Sequence, residues 1–255
     1  MPRPSWFAVA LLAALVCLWT SIGKAQTVAV GGYPYPPFGY LDGKVHTGYS
    51  HDILTEVARR AGLTFHVEEI SVVRATKVLH DRVNFLIAGT RTPEAEERYD
   101  AHWLDCFETV SHSLMVRADS PFQQLEDIPR TARIAAFLGY TLKSYLGELG
   151  FSSFELVAEN GQGAEMLMRR RVDAWATFES SAYFLLEERG LDRDIVRSIP
   201  IRQFPFCIIA SQSTAPELRE RLHKAYLEMV ADGTRAAIRQ KYARYLGPDL
   251  LAGHP

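Results

Sequence analysis

The residues with most chemistry to offer are eight histidines, three cysteines and the arginines near strand-to-helix turns. The histidines do not fall at metal-ligand spacings, and His46 and His51 stand outside the i, i+4 pairing that puts two imidazoles on one helix face. There is no G-x-S-x-G elbow, phosphate-binding loop or dinucleotide fingerprint. Cys106 has no neighbour in sequence that would stabilise a thiolate. Catalytic residues, a metal and a cofactor are therefore not expected. Binding chemistry is better represented. Tyr33, Tyr35, Phe38 and Tyr40 cluster in a segment stiffened by Pro34, Pro36 and Pro37, and aromatic walls of this kind supply apolar area and cation contacts. Thr90-Arg91-Thr92-Pro93 joins a strand to a helix start, with Arg91 offering a fork matched to a carboxylate. Gly139-Tyr140-Thr141 repeats that geometry later in the chain. Arg74 opens a helix, where the dipole prefers acids, so a role in binding or in an ion pair is expected there.

Alternating strands and helices must position these groups. The β run 27–30 precedes the aromatic segment, which places that segment at a strand's carboxyl end, where open α/β sheets bind ligands. Residues 51–61 read as an amphipathic helix with Gly62 as its stop, 64–68 as a strand, 72–81 as a helix and 83–88 as a buried strand. Thr92 is an N-cap with Pro93 in the first turn. Strands are expected at 113–117, 132–137, 154–158, 172–177 and 206–211. Helices are expected at 142–149, 163–171 and 180–189, then one from Pro216 and one capped by Thr234. The alternation predicts an α/β fold with mainly parallel sheets.

The chain has 255 residues, 47% hydrophobic and 23% charged, with a formal charge of −2. That is too apolar for a disordered chain and lacks the positive charge that phosphate neutralisation needs, so no nucleic-acid partner is expected. Arg3, the apolar run 6–19, and small residues at Gly23 and Ala25 have the layout of a secretory signal peptide spanning 1–25. A retained membrane anchor is the rival reading. Cleavage after Ala25 leaves 230 residues and, with Arg3 and Lys24 gone, a charge of −4. Cys106 and Cys207 remain in an oxidising compartment, as a disulfide or as two buried thiols. The product is expected in the periplasm.

The order of motifs resembles the solute-binding proteins of bacterial amino-acid-type transporters, across almost all of the mature chain. Val28-Ala29-Val30 followed by Tyr35-Pro36-Pro37-Phe38 resembles the family's opening strand and YPPF loop, and Gly48-Tyr49-Ser50-His51-Asp52 is similar to its GFDVD. Arg74-Ala75, Val83-Asn84-Phe85 and Arg91-Thr92-Pro93-Glu94 resemble further elements of a short subfamily. So do the stretch from Leu125 to Gly139, Arg171-Val172-Asp173-Ala174, and Ala231-Asp232-Gly233-Thr234. The resemblance implies the two-lobed type II periplasmic-binding-protein fold, with residues 26–110 and 210–255 in lobe I and 111–209 in lobe II. Two hinge strands, at 111–117 and 206–211, would cross between the lobes. It implies a monomer that closes on a small-molecule ligand and delivers it to the membrane subunits of an ABC transporter or to a sensor.

Two departures bear on the ligand. Relatives that bind α-amino acids hold the carboxylate with the Arg of TPER, where this chain has Ala95. They hold the ammonium with an Asp, where it has Phe178 followed by Glu179. A buried, unpaired ligand charge is costly, so a standard α-amino acid is not expected. The expected ligand-binding set is Tyr33, Tyr35, Phe38, Arg74, Thr90, Arg91, Gly139, Tyr140, Thr141 and Glu179. An alternative is an enzyme of the cyclohexadienyl dehydratase kind on the same fold, with Glu179 as general acid.

Overall fold

Val28, Ala29 and Val30 are buried in β1 (Thr27–Gly32), which lies between two parallel partners, β4 (Thr64–Glu69) and β5 (Phe85–Thr90). The computed structural model describes residues 26–32, 35–137, 141–248 and 251, without the side chains of Val72 and Thr141. The expected signal segment 1–25, Tyr33, Gly139, Tyr140 and the Thr141 side chain lie outside the described residues.

Successive residues of a strand face opposite sides. Val28, Val30, Leu86 and Ala88 share a core with Ile53, Leu54, Val57 and Ala58 of α1 (Tyr49–Arg60). Ala29, Phe85 and Ile87 pack instead with Ala75, Val78 and Leu79 of α2 (Val72–Asp81). The hairpin β2 (Tyr40–Asp42) and β3 (Val45–Thr47) stands between β1 and α1 in the chain. After β5 comes the six-residue α3 (Pro93–Arg98), whose N-cap Thr92 accepts the Ala95 N–H at 3.1 Å, with Pro93 in the first turn.

The second half repeats the design. β7 (Ile134–Phe137) pairs in parallel with β8 (Phe154–Val157) and β9 (Ala174–Phe178). One face of this sheet meets Leu142 and Leu146 of α4 (Thr141–Glu148). The other meets α5 (Asn160–Met168) and α6 (Glu179–Glu188) through Ala164, Leu167, Ala182 and Leu186.

Two long antiparallel strands join the halves, β6 (Ala101–Arg117) and β10 (Val196–Ser211), and the sheet order is β4-β1-β5-β10-β6-β9-β7-β8. α7 (Pro216–Ala231) and α8 (Thr234–Tyr242) then return to the first half, where Leu218, Leu222, Tyr226, Met229, Ile238 and Tyr242 complete its core. This is the two-lobed α/β arrangement that the motif order implies. Cys106 and Cys207 are register partners on β6 and β10 and form a disulfide with Cα atoms 3.8 Å apart.

Several boundaries differ from the sequence reading, each for a local reason. The two joining strands begin far earlier than the apolar runs at 113–117 and 206–211, because cross-strand pairing carries residues such as His102, Arg197 and Gln203 that break the apolar pattern. The strand expected at 83–88 starts at Phe85, since Asn84 sits in the left-handed region at φ 55°. The helix expected at 163–171 spans Asn160–Met168 and is followed by Arg170 at φ 57°. The cap of α8 is Gly233, at φ 81°, rather than Thr234, whose hydroxyl accepts from the Arg60 guanidinium at 2.7 Å.

Candidate functional site

β4, β1 and β5 point the same way, so their carboxyl ends form one rim, with Gly32 in register with Glu69. A cavity of about 250 Å3 opens there. Its wall begins with the turn after β1, closed by the Tyr35 N–H to the Gly39 carbonyl at 2.7 Å and the Phe38 N–H to the Tyr35 carbonyl at 3.0 Å. α1 starts against this turn: the Tyr49 N–H donates to the Pro37 carbonyl at 2.8 Å and the Ser50 N–H to the Phe38 carbonyl at 2.9 Å. Only glycine allows that approach, because a Cβ on Gly48 would stand 2.4 Å from the Phe38 carbonyl oxygen and φ there is 122°.

Aromatic rings line the inner wall. Phe178 meets Tyr35 edge-on with ring centroids 4.9 Å apart and Phe38 at 5.6 Å, and Phe38 lies 4.7 Å from Phe206. Edge-to-face packing of this kind adds to the area the rings bury. Phe178, where a ligand ammonium would meet an Asp in α-amino-acid binders, is buried among rings. Tyr40 also lines the cavity. Burial, then the Asp42 charge, raises its pKa, so its phenol is a neutral donor.

The polar atoms at the cavity are few. Ser50 is 8% exposed, and its Oγ has no hydrogen-bond partner among the described residues. Thr90 and Thr47 add hydroxyls, and His46 and His51 add imidazoles. His51 is 3.4 Å from Asp52. Burial favours the protonated Asp52 carboxyl, but hydrogen bonds from His51, Lys241 and Tyr242 outweigh it and the pKa is lowered. Two charged side chains complete the lining: Glu69, the last residue of β4, and Arg98, in the last turn of α3. Arg98 lies three residues after Ala95, which also lines the cavity, and so stands one turn along the same helix face.

Of the residues singled out from sequence, Tyr35, Phe38 and Thr90 come together at this cavity. Arg91 does not line it: its Nε donates to Glu96 at 2.6 Å on the surface. Arg74 is exposed on α2. Glu179 accepts a hydrogen bond from Tyr183 at 2.7 Å and is also absent from the lining. Arg98, Glu69 and Ser50 were not singled out. The available signal for Arg98 was its i, i+3 spacing from Ala95; Glu69 and Ser50 depended on where β4 and α1 end and begin. Among the described residues no group of His, Cys, Asp and Glu is placed to hold a metal, and no helix is long and apolar enough to cross a membrane.

The pattern of the bacterial extracellular solute-binding proteins, family 3, matches residues 27–245. The chain belongs to that family. Two relatives from Bacillus subtilis (strain 168) give the range of likeness. The L-cystine-binding protein TcyA is 24% identical over 229 residues, which cover 88% of this chain and 84% of TcyA. The arginine-binding extracellular protein ArtP is 24% identical over 106 residues, and that match spans only 42% of either chain. Among solved structures, a histidine kinase sensor domain with similarity to periplasmic binding proteins superposes with a TM-score of 0.77 at 20% identity, covering 88% of this chain and 99% of its own. In this member of family 3 the cavity at the strand ends occupies the place where the fold brings its two halves together: Phe178, from the second half, meets Tyr35 and Phe38 from the first.

Proposed function

We propose that this family 3 protein is exported and captures a small polar molecule other than a standard α-amino acid, for ABC-type uptake or for sensing, acting as a monomer. The lobes divide as 26–110 with 210–255, and 111–209. One observation carries the reading of the ligand: the two positions that clamp an α-amino acid in similar proteins hold Ala95 and Phe178, both 4% exposed and both lining the cavity. A methyl group offers a carboxylate no hydrogen bond, a phenyl ring offers an ammonium no counter-charge, and desolvating either charge without an ionic partner is unfavourable by several kcal/mol. The relatives that bind arginine and cystine support solute capture as the activity and leave the ligand to the side chains of this cavity.

The dehydratase alternative finds no support at the site, since Glu179 is engaged by Tyr183 and does not line the cavity. A thermal-shift screen of amino acids, organic acids and polyamines tests the proposal. A ligand bound to the native state raises the melting temperature with concentration. The expected result is a shift from a compound outside the standard α-amino acids. A shift confined to α-amino acids would overturn the ligand reading, and turnover of prephenate or arogenate would overturn the non-enzymatic one.

A further inference from the structure

We propose that the cavity selects a ligand whose negative and positive groups are several bonds apart, with Arg98 receiving the negative end and Glu69 the positive end. The inference rests on the solute-binding reading and narrows its ligand class to extended zwitterions such as ω-amino acids.

Arg98 and Glu69 both line the cavity, and neither makes an ion pair or hydrogen bond with a described residue; Glu94 feels Arg98 only as a longer-range charge. Nor do they pair with each other. Their elements explain why. Glu69 ends β4, the edge strand, whereas Arg98 belongs to the helix after β5, and β1 lies between β4 and β5. Neighbouring strands lie about 4.8 Å apart, which puts β4 and β5 roughly 10 Å from each other.

The α-carboxylate and α-ammonium of an amino acid share one carbon, and that pair cannot reach across the rim. An extended chain with a carboxylate at one end and an amine at the other can. Its methylenes would lie along the aromatic wall of Tyr35, Phe38 and Phe206, which offers apolar area and no competing charge. Ser50 Oγ, buried and without a hydrogen-bond partner among the described residues, is a further polar atom placed to bond a ligand in the interior. The displacement of the cation from position 95 to 98 is a shift of one helical turn along the same face. It moves the anion-binding group without removing it from the cavity.

The test is a thermal-shift and calorimetric series on the full protein with glycine, β-alanine, 4-aminobutyrate, 5-aminopentanoate and 6-aminohexanoate at low ionic strength. The expected result is no shift with glycine and a shift that grows with chain length. Arg98→Ala and Glu69→Gln should each weaken the best binder by about tenfold or more, because each removes a charge-assisted contact. Both residues are exposed, so the unliganded melting temperature of each variant should match the parent. Glycine binding as well as the long members, no binding by any member, or variants that bind as the parent does would each overturn the charge assignment. A compound from the wider screen that binds parent and both variants alike would leave solute capture standing while this inference fails. Absence of any binder in that screen would remove both.

Discussion

The Tyr35 hydroxyl stands 3.0 Å from the Thr177 hydroxyl, and both residues are buried although 142 positions separate them in the chain. The contact fastens the aromatic wall of the cavity to β9 in the opposite half. Thr177 Oγ1 also accepts from the Asn160 amide at 2.9 Å, and Asn160 Oδ1 takes the Trp175 indole N–H at 3.1 Å. Tyr35→Phe removes one hydroxyl and leaves Thr177 bonded to Asn160, so it should cost about 1 kcal/mol. Thr177→Val removes the acceptor of the Asn160 amide as well as the Tyr35 contact and should cost more, with about 1–3 kcal/mol for the stranded amide alone. Urea unfolding of the two variants measures the difference. Equal costs would show that the hydroxyls do not act as a connected chain.

Gly163 in α5 lies against Trp175, which is fully buried. An added Cβ would fall 2.3 Å from the indole Cδ1. Gly163→Ala therefore should destabilise by about 1–3 kcal/mol, despite the better helix propensity of alanine, because a fully buried ring must shift to admit the methyl group. A variant as stable as the parent would mean that the indole shifts at no cost.

His112 lies on β6 between the rings of Phe178 and Phe204, each 4.9 Å away, and is 1% exposed. Burial, reinforced by the Arg202 charge, pushes its pKa from 6.5 down to about 3. Above pH 6.5 the ring is neutral both folded and unfolded. As pH falls below that, the unfolded chain takes up a proton that the native state refuses, and stability is lost until about pH 3. Between pH 6.5 and 5 this loss should reach about 2 kcal/mol. His112→Gln should remove that component, so the parent's unfolding free energy should fall more steeply with acid than the variant's. Parallel profiles would contradict the shift.

The Cys106–Cys207 bridge closes a loop with a sequence separation of 101 residues. In the chain-entropy account a loop of that length contributes about 4.7 kcal/mol, with typical bridges giving about 2–4 kcal/mol. Replacing both cysteines with alanine should lower the unfolding free energy by about 3–5 kcal/mol, read by denaturant titration. A loss under about 1 kcal/mol would show that the denatured chain is not restrained by the bridge.

The α/β alternation was legible because periodicity and caps are local: residues 72–81 form a helix as spaced, and Thr92 caps α3 as its hydroxyl and the following proline suggest. The long joining strands were only half legible, since His102, Gln203 and Arg197 are held by a neighbour about a hundred residues away rather than by their own pattern. The β2–β3 hairpin is three residues a side and leaves no periodic trace. At the site, the aromatic segment announced itself through its prolines, and Tyr35 and Phe38 do line the cavity. Arg91 and Arg98 look alike in sequence. Only the fold shows that Arg91 bonds Glu96 while Arg98 reaches the cavity.

The bridge between β6 and β10 also has a mechanical consequence. A covalent tie at one rung prevents the two strands from sliding along each other, so relative motion of the halves must be carried as bending or twisting of the pair. Two of the ladder's irregularities, between Phe206 and Cys207 and between Cys207 and Ile209, are pinned by the tie itself. The third, between Pro200 and Arg202, lies on the far side, where Pro200 has no N–H to give the ladder. Bending of the pair should thus concentrate around that break, a few residues along β10 from Phe206, which lines the cavity.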